Sequence, residues 1–282
     1  AGCPPGASVN NGDGSFTVTS TVPIPATATG SLGIGIEGHP ALDADGNGTI
    51  DSIPVSNAHA FKAITGSVVA RRDLVDIAKC NDCHKQLTIH GGNRTDNEQV
   101  CVMCHNPNVT DVNRRVAGSA CDLTLGLDDE SVDMKYMVHA IHAGNTGVCG
   151  YGNSAIPFFE VVYPGHLNNC EGCHKANTYF PVDATKVLAT TFDAGNPATL
   201  ADDRAVSPNS TVCSACHTGS SARAHMELNG GSFALGKTAA GASTAGPGLT
   251  DAPPIESCSV CHGSGRSADV KAAHRVGEFR YN

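Results

Sequence analysis

CNDCH, running from Cys80 to His84, decides how the rest of the chain is read. The same C-x-x-C-H spacing returns as CVMCH at Cys101–His105 and CEGCH at Cys170–His174. It returns again as CSACH at Cys213–His217 and CSVCH at Cys258–His262. This spacing is the attachment signature of c-type haem. Two thiols two residues apart reach the two vinyl carbons of one porphyrin, and the next histidine is placed under the iron as its proximal ligand. With 13 cysteines and 13 histidines in 282 residues, chance would produce about 0.03 matches in the whole chain. The rival reading is zinc, because Cys80, Cys83, Cys101 and Cys104 also have zinc-ribbon spacing. Zinc gives no reason for a histidine after every second cysteine, five times in five.

Composition agrees with five porphyrins. The chain has no tryptophan, 5% aromatic residues and 32 glycines, so large flat cofactors replace the side chains that normally fill a core. The expected fold is a multihaem cytochrome c fold: little regular secondary structure, with short helices around five covalently bound c-type haems. Cys80, Cys83, Cys101, Cys104, Cys170, Cys173, Cys213, Cys216, Cys258 and Cys261 bind the porphyrins. His84, His105, His174, His217 and His262 are the proximal ligands.

Five distal ligands are then needed, and eight histidines remain. His139 and His142 lie in SVDMKYMVHAIHAG, behind the acidic run Asp128-Asp129-Glu130, which reads as a helix start. Three residues apart on a helix, they occupy neighbouring positions and can serve two different haems. His90 follows His84 by six residues, and on a continuous helix the two point apart, so His90 is expected to belong to a neighbouring haem unless the helix ends before it. His225 and His274 each follow a motif by a reach suited to a distal ligand. His39, His59 and His166 are left over as surface residues, or as ligands to a haem of an adjacent subunit.

Residues 1–75 contain no haem motif. Alternating stretches such as SFTVTSTVPI and SLGIGIEG, broken by Gly, Pro and Asn, predict a small β-rich N-terminal domain. Residues 76–282 form the pentahaem domain. Within the first segment DADGNGTID sets Asp43, Asp45, Asn47, Thr49 and Asp51 at the alternate positions of a calcium loop, with Gly48 in the tight turn. The twelfth position is Pro54 instead of glutamate, so a plain Asp/Asn/Gly turn is the competing reading. Cys121 and Cys149 flank the two-histidine segment and are expected to form a disulfide, which points to an oxidising compartment. Cys3 stands alone. A lipidated cysteine would be residue 1, so an intersubunit disulfide or a free thiol is expected there.

The net charge is -9, from 18 basic and 27 acidic residues. No Lys/Arg cluster exists beyond Arg71-Arg72 and Arg114-Arg115, so nucleic acid is not an expected partner. No apolar run is long enough to predict a transmembrane segment. The first residues carry no basic or apolar leader, so an exported chain would already be processed.

From Leu74 onward the chain resembles the pentahaem unit of the OmcA/MtrC family, the outer-membrane (extracellular) multihaem c-type cytochromes of metal-reducing bacteria. The matching pieces are VDIAKCNDCHKQLTIHGGNRTDNEQVCVMCHNPN, MKYMVHAIHAG, YPGHLNNCEGCH, VCSACHTGSSARAHMELNGGSF and ESCSVCHGSGRSADVKAAH. The resemblance implies extracellular electron transfer at the cell surface by an exported protein. It also implies that His90, His139, His142, His225 and His274 are the distal ligands, the same five that the histidine count favours. Those cytochromes carry two such units and two larger β-domains. One unit is half a wire, so partners are expected: other cytochromes, extracellular electron acceptors or donors, or further copies of this chain. Head-to-tail contacts between copies make a filament when the rotation does not close. The alternative function is a pentahaem respiratory reductase, nitrite-reductase-like, which requires one haem with an open iron position.

Overall fold

A computed structural model describes residues 7–115, 118, 121, 130–183, 186–193, 202–237, 249 and 255–278. Cys3, Asp128, Asp129 and residues 238–248 lie outside these. The chain divides into two compact units. One is Ala1–Gly33 with Phe61–Ala70, and the other is Ile34–Ala60 with Arg71–Asn282.

In the first unit, β1 (Ala7–Asn10) pairs antiparallel with β2 (Phe16–Thr19), Val9 opposite Thr17 and Asn10 opposite Phe16. The turn is built by Asp13, whose carboxylate accepts from the Ser15 amide at 2.9 Å and its hydroxyl at 2.6 Å, a side-chain-closed turn of the usual Asx kind. None of this unit's described residues is buried, and Phe16 and Val18 are largely exposed. A two-stranded hairpin draws little stability from itself in water.

The strands β3 (Ser31–Ile36) and β6 (Ala58–Ala63) pair, and β4 (Ala41–Leu42) and β5 (Asp51–Ser52) close the acidic loop. From Arg71 onward the second unit is a sequence of short helices and small sheets. Helix α1 (Ile77–His84) is followed by the hairpin β7 (Thr88–Ile89) and β8 (Arg94–Thr95), and then by α2 (Glu98–Cys104). Asp76 caps α1 through the Ala78 amide, and Asn97 caps α2 through the amides of Gln99 and Val100, so each of the first two motifs lies on a helix with a polar N-cap. Helix α3 (Met134–His142) leads to the pair β9 (Gly147–Cys149) and β10 (Ala155–Pro157). The strands β11 (Thr190–Phe192), β12 (Arg204–Val206) and β13 (Leu235–Gly236) form a three-stranded sheet. The last helices are α4 (Pro208–Ser214), α5 (Ser220–Leu228), α6 (Ser259–His262) and α7 (Val270–His274).

Helix α3 starts later than the acidic run suggests. Asp133 is its cap, accepting from the Lys135 amide. Glu130 instead turns inward, its amide on Asp111 at 2.9 Å and its carboxylate near Tyr136 and Thr146. The disulfide expected between Cys121 and Cys149 is present, with Cα atoms 5.8 Å apart.

Among the described residues the largest fully buried side chains are Thr95, Thr146, Thr190, Thr191 and Thr211. The buried apolar set is similarly small: Val100, Ala140, Val148, Ala205, Val206, Ala215, Met226, Leu235 and Val276, beside the disulfide cysteines. A unit of this size normally buries Leu, Ile and Phe in quantity. Side chains this small cannot supply the apolar volume of a core, and a fold built this way fits a set of large apolar cofactors.

Candidate haem centres

Each motif histidine faces a histidine from outside the motifs. His84 faces His142 with ring centroids 6.1 Å apart, and His90 faces His105 at 6.0 Å. His139 faces His174 at 6.1 Å, His217 faces His274 at 6.0 Å, and His225 faces His262 at 6.0 Å. A metal–imidazole bond is about 2 Å, so two imidazoles on opposite sides of one iron hold their centroids about 6 Å apart. All five pairs have that spacing, and the residues therefore fit bis-histidine haem at each motif.

In each pair one ring is tied down. His105 Nδ1 donates to the Val132 carbonyl at 2.8 Å and His139 Nδ1 to Lys135 at 2.6 Å. His142 Nδ1 donates to Val138 at 2.8 Å, His262 Nδ1 to Ala268 at 2.9 Å, and His274 Nδ1 to Val270 at 3.0 Å. A carbonyl only accepts, so the proton sits on Nδ1 and leaves the Nε2 lone pair for the metal. Burial also favours the ligating neutral form. It lowers the pKa of His139, and it brings His174 down to about 4 with help from His139 beside it.

The distal histidines come from elements that belong to neighbouring motifs. His90 follows the first motif but faces the second. It stands at the tip of the β7–β8 hairpin with φ 55°, followed by Gly91 at 70° and Gly92 at 88°. That left-handed run is cheap only for glycine, and it turns the chain so that His90 reaches His105. Helix α3 carries both His142, facing the first motif, and His139, facing the third. Helix α5, just after the fourth motif, gives His225 to the fifth. Helix α7, just after the fifth, returns His274 to the fourth.

Backbone and side-chain bonds join the same neighbours. The Asp76 amide donates to the Cys173 carbonyl at 2.9 Å, and the Lys175 amide to Leu74 at 3.0 Å. Lys79 Nζ donates to the carbonyls of Glu171 at 2.9 Å and His174 at 2.7 Å. These bonds tie the first motif to the third. Asn168 Nδ2 donates to the His274 carbonyl at 2.9 Å, and Asn145 Nδ2 to Ala215 at 3.0 Å, which brings the third motif beside the fourth. Glu256, two residues before Cys258, takes five hydrogen bonds. They come from the Ser207 hydroxyl, the Asn209 amide and side chain, and the Ser210 amide and hydroxyl, at 2.7 to 2.9 Å. It caps α4, which carries Cys213, and so fastens the fifth motif to the fourth.

Residues 72–275 match the family described as outer membrane cytochrome MtrC/MtrF-like, domains II/IV. The chain belongs to this family. It is similar in structure to the outer membrane decaheme cytochrome OmcA, at 18% identity and a TM-score of 0.46, over 95% of this chain and 38% of that one. It is also similar to MtrC from Shewanella baltica OS185, at 20% identity and a TM-score of 0.45, over 96% of this chain and 33% of that one. The chain thus spans between about a third and two fifths of the length of these solved structures. No curated protein matches it. The short helices and small sheets are those of an MtrC/MtrF-like unit.

The other residues singled out in the sequence are placed as follows. Asp43, Asp45 and Asp51 bring carboxylate oxygens within 4.8 Å of one another in the β4–β5 loop. The Asn47 and Gly48 amides donate to Asp43 at 3.0 and 2.9 Å, and the Thr49 amide to the Asn47 side chain at 2.7 Å. His59 Nδ1 is 2.9 Å from Asn97 Nδ2, and His39 Nδ1 is 3.1 Å from the Pro40 carbonyl. None of the five histidine pairs above includes His39, His59 or His166. Among the described residues no helix is long and apolar enough to cross a membrane.

Proposed function

We propose that this chain binds five c-type haems and carries electrons between them. The observation that carries this reading is the set of five histidine pairs at 6.0 to 6.1 Å, each joining a motif histidine to one from a neighbouring segment. Each c-haem iron supplies reversible one-electron exchange when bound. The cysteine pairs hold the porphyrins, and the ten histidines close both axial positions. A site closed on both sides favours electron transfer over chemistry at the iron, which the nitrite-reductase-like alternative requires.

The shared elements arrange the sites in the series second, first, third, fourth, fifth. A linear series suits exchange with a partner at either end. The partners we propose are other cytochromes, extracellular acceptors or donors, or further copies of this chain in a filament, with the protein exported to the cell surface. Negative-stain images showing only discrete particles at high protein concentration would remove the filament.

The β4–β5 loop is read as a calcium loop in which Asp43, Asp45, Asn47, Thr49 and Asp51 supply oxygen ligands. Titration calorimetry that detects no calcium binding to the chelator-treated holoprotein would leave it a plain turn.

The main reading is tested on protein matured with c-type haem. Pyridine haemochrome and iron analysis are expected to give five haems per chain, with a wholly low-spin ferric spectrum. Fewer than five haems, or a high-spin fraction in the unmodified protein, would overturn it.

A further inference from the structure

The five histidine pairs share one spacing but not one orientation. The ring planes lie 9° apart in His139–His174 and 28° apart in His90–His105. They lie 90° apart in His84–His142, 87° in His225–His262 and 68° in His217–His274. We infer that the sites fall into two electronic classes, with near-parallel axial imidazoles at the second and third motifs and crossed imidazoles at the first, fourth and fifth. This inference rests on the bis-histidine reading above.

The physical cause lies in the ligand π orbitals. An imidazole donates π density into the iron d orbital that is perpendicular to its ring plane. Two parallel rings load the same orbital, so the two relevant d orbitals separate in energy and low-spin ferric iron shows a rhombic magnetic signal. Two crossed rings load both orbitals almost equally and leave them nearly degenerate. The signal then becomes highly anisotropic, with one very large principal g value. Axial ligand arrangement is one of the levers by which a protein sets haem electronics.

The chain fixes these planes through groups that touch no metal. His139 and His142 are three residues apart on α3, and each donates Nδ1–H to the carbonyl four residues back. The same local geometry therefore orients both rings. The difference between the two sites comes from the opposite ring. His174 lies in the isolated bridge with Val75 and meets the edge of Tyr179 at 6.2 Å. His84 ends α1. One helix thus presents two similarly held imidazoles to partners that approach from different directions, and the first and third sites end in different classes. At the second site the ring of His105 is held by the Val132 carbonyl, and that of His90 by the strained hairpin tip.

The test is spin-quantified EPR of the oxidised holoprotein, with haem content measured on the same sample. At five haems per chain, two spins are expected in the rhombic class and three in the highly anisotropic class. His90→Ala removes one ligand of a near-parallel pair and leaves that haem high-spin, so the rhombic class should fall from two spins to one while the anisotropic class keeps three. His142→Ala should lower the anisotropic class from three spins to two and leave the rhombic class at two. A single class at full haem loading would overturn the inference, as would loss of rhombic signal in His142→Ala with five haems still bound. Haem loading below five in the unmodified protein would fail the underlying reading instead, so the two failures are distinguishable.

Discussion

The His142 ring stands 6.1 Å from that of His84 with its plane turned by 90°, and its own Nδ1 is tied to the carbonyl of Val138, one turn back on α3. The ring is thus part of the helix rather than a loose side chain. An alanine side chain offers no ligand atom, and the histidine that faces His84 is His142. His142→Ala should therefore keep five haems and convert about one fifth of the ferric haem to high spin, read from the visible charge-transfer band. A His139→Ala/His142→Ala variant should double that fraction, because the same helix serves two sites. An unchanged low-spin spectrum in both variants would refute the pairing.

Glu256 collects five hydrogen bonds at the start of α4. Hydrogen bonds to a charged acceptor are worth about 1.5 to 3 kcal/mol each in favourable cases and are not additive. Glu256→Ala leaves the buried Ser207, Ser210 and Asn209 donors without that acceptor, and about 3 kcal/mol of stability should be lost. The measurement is the denaturant midpoint of the holoprotein. Since Glu256 anchors the segment bearing Cys258, the loss should appear first as high-spin character at the fourth and fifth sites, where His274 and His225 are exchanged.

How much of this was readable in the sequence follows from the length scale of each feature. Porphyrin attachment needs Cys80, Cys83 and His84 within five consecutive positions, so the local pattern carries the chemistry. The choice of distal partner is tertiary. Nothing local says that His90 crosses to His105, or that α5 and α7 exchange His225 and His274. Glu256 was silent because one carboxylate before a motif looks like any surface acid until Ser207, Asn209 and Ser210 are brought to it. The acidic run near residue 130 suggested a helix start. Asp133 is the cap because its side chain can reach the Lys135 amide, while Glu130 is drawn inward by Asp111, Tyr136 and Thr146.

The disulfide between Cys121 and Cys149 closes a loop of sequence separation 28. Chain-entropy arguments put the stabilisation at about 3 to 4 kcal/mol for a loop of this length. The Cys149 amide also donates to Asp111 at 2.7 Å, and Asp111 holds Arg115 through two bonds at 2.8 and 2.9 Å. The double substitution Cys121→Ser/Cys149→Ser should lower the unfolding free energy by that amount with haem content unchanged. Reduction of the unmodified protein should reproduce the shift in denaturant midpoint, and a shift under about 1 kcal/mol would show that the loop is held by other contacts.

Glu130 sits beside that same cluster, and its pKa is raised to about 7. Burial is the main cause and Asp111 adds to it; Tyr136, Arg115 and Thr146 pull the other way. Asp111 holds two bonds from Arg115 and two from backbone amides, whereas among the described residues the Glu130 carboxylate meets the hydroxyls of Tyr136 at 3.2 Å and Thr146 at 3.5 Å. Asp111 takes the Arg115 guanidinium, and the buried, less well bonded Glu130 keeps its proton to a higher pH. The folded state then binds a proton that the unfolded chain releases near pH 4.5. Between that pH and about 7 the unfolded state holds fewer protons than the folded one, so the Glu130 contribution to stability falls as pH rises and levels off above 7. The window corresponds to at most about 3 kcal/mol. Glu130→Gln carries the neutral shape at every pH. The variant should match the parent near pH 4.5 and exceed it by about 1 to 3 kcal/mol at pH 8, measured by denaturant unfolding across that range. If the difference between variant and parent stayed flat with pH, Glu130 would be ionised throughout and the Arg115 guanidinium would have to serve both carboxylates.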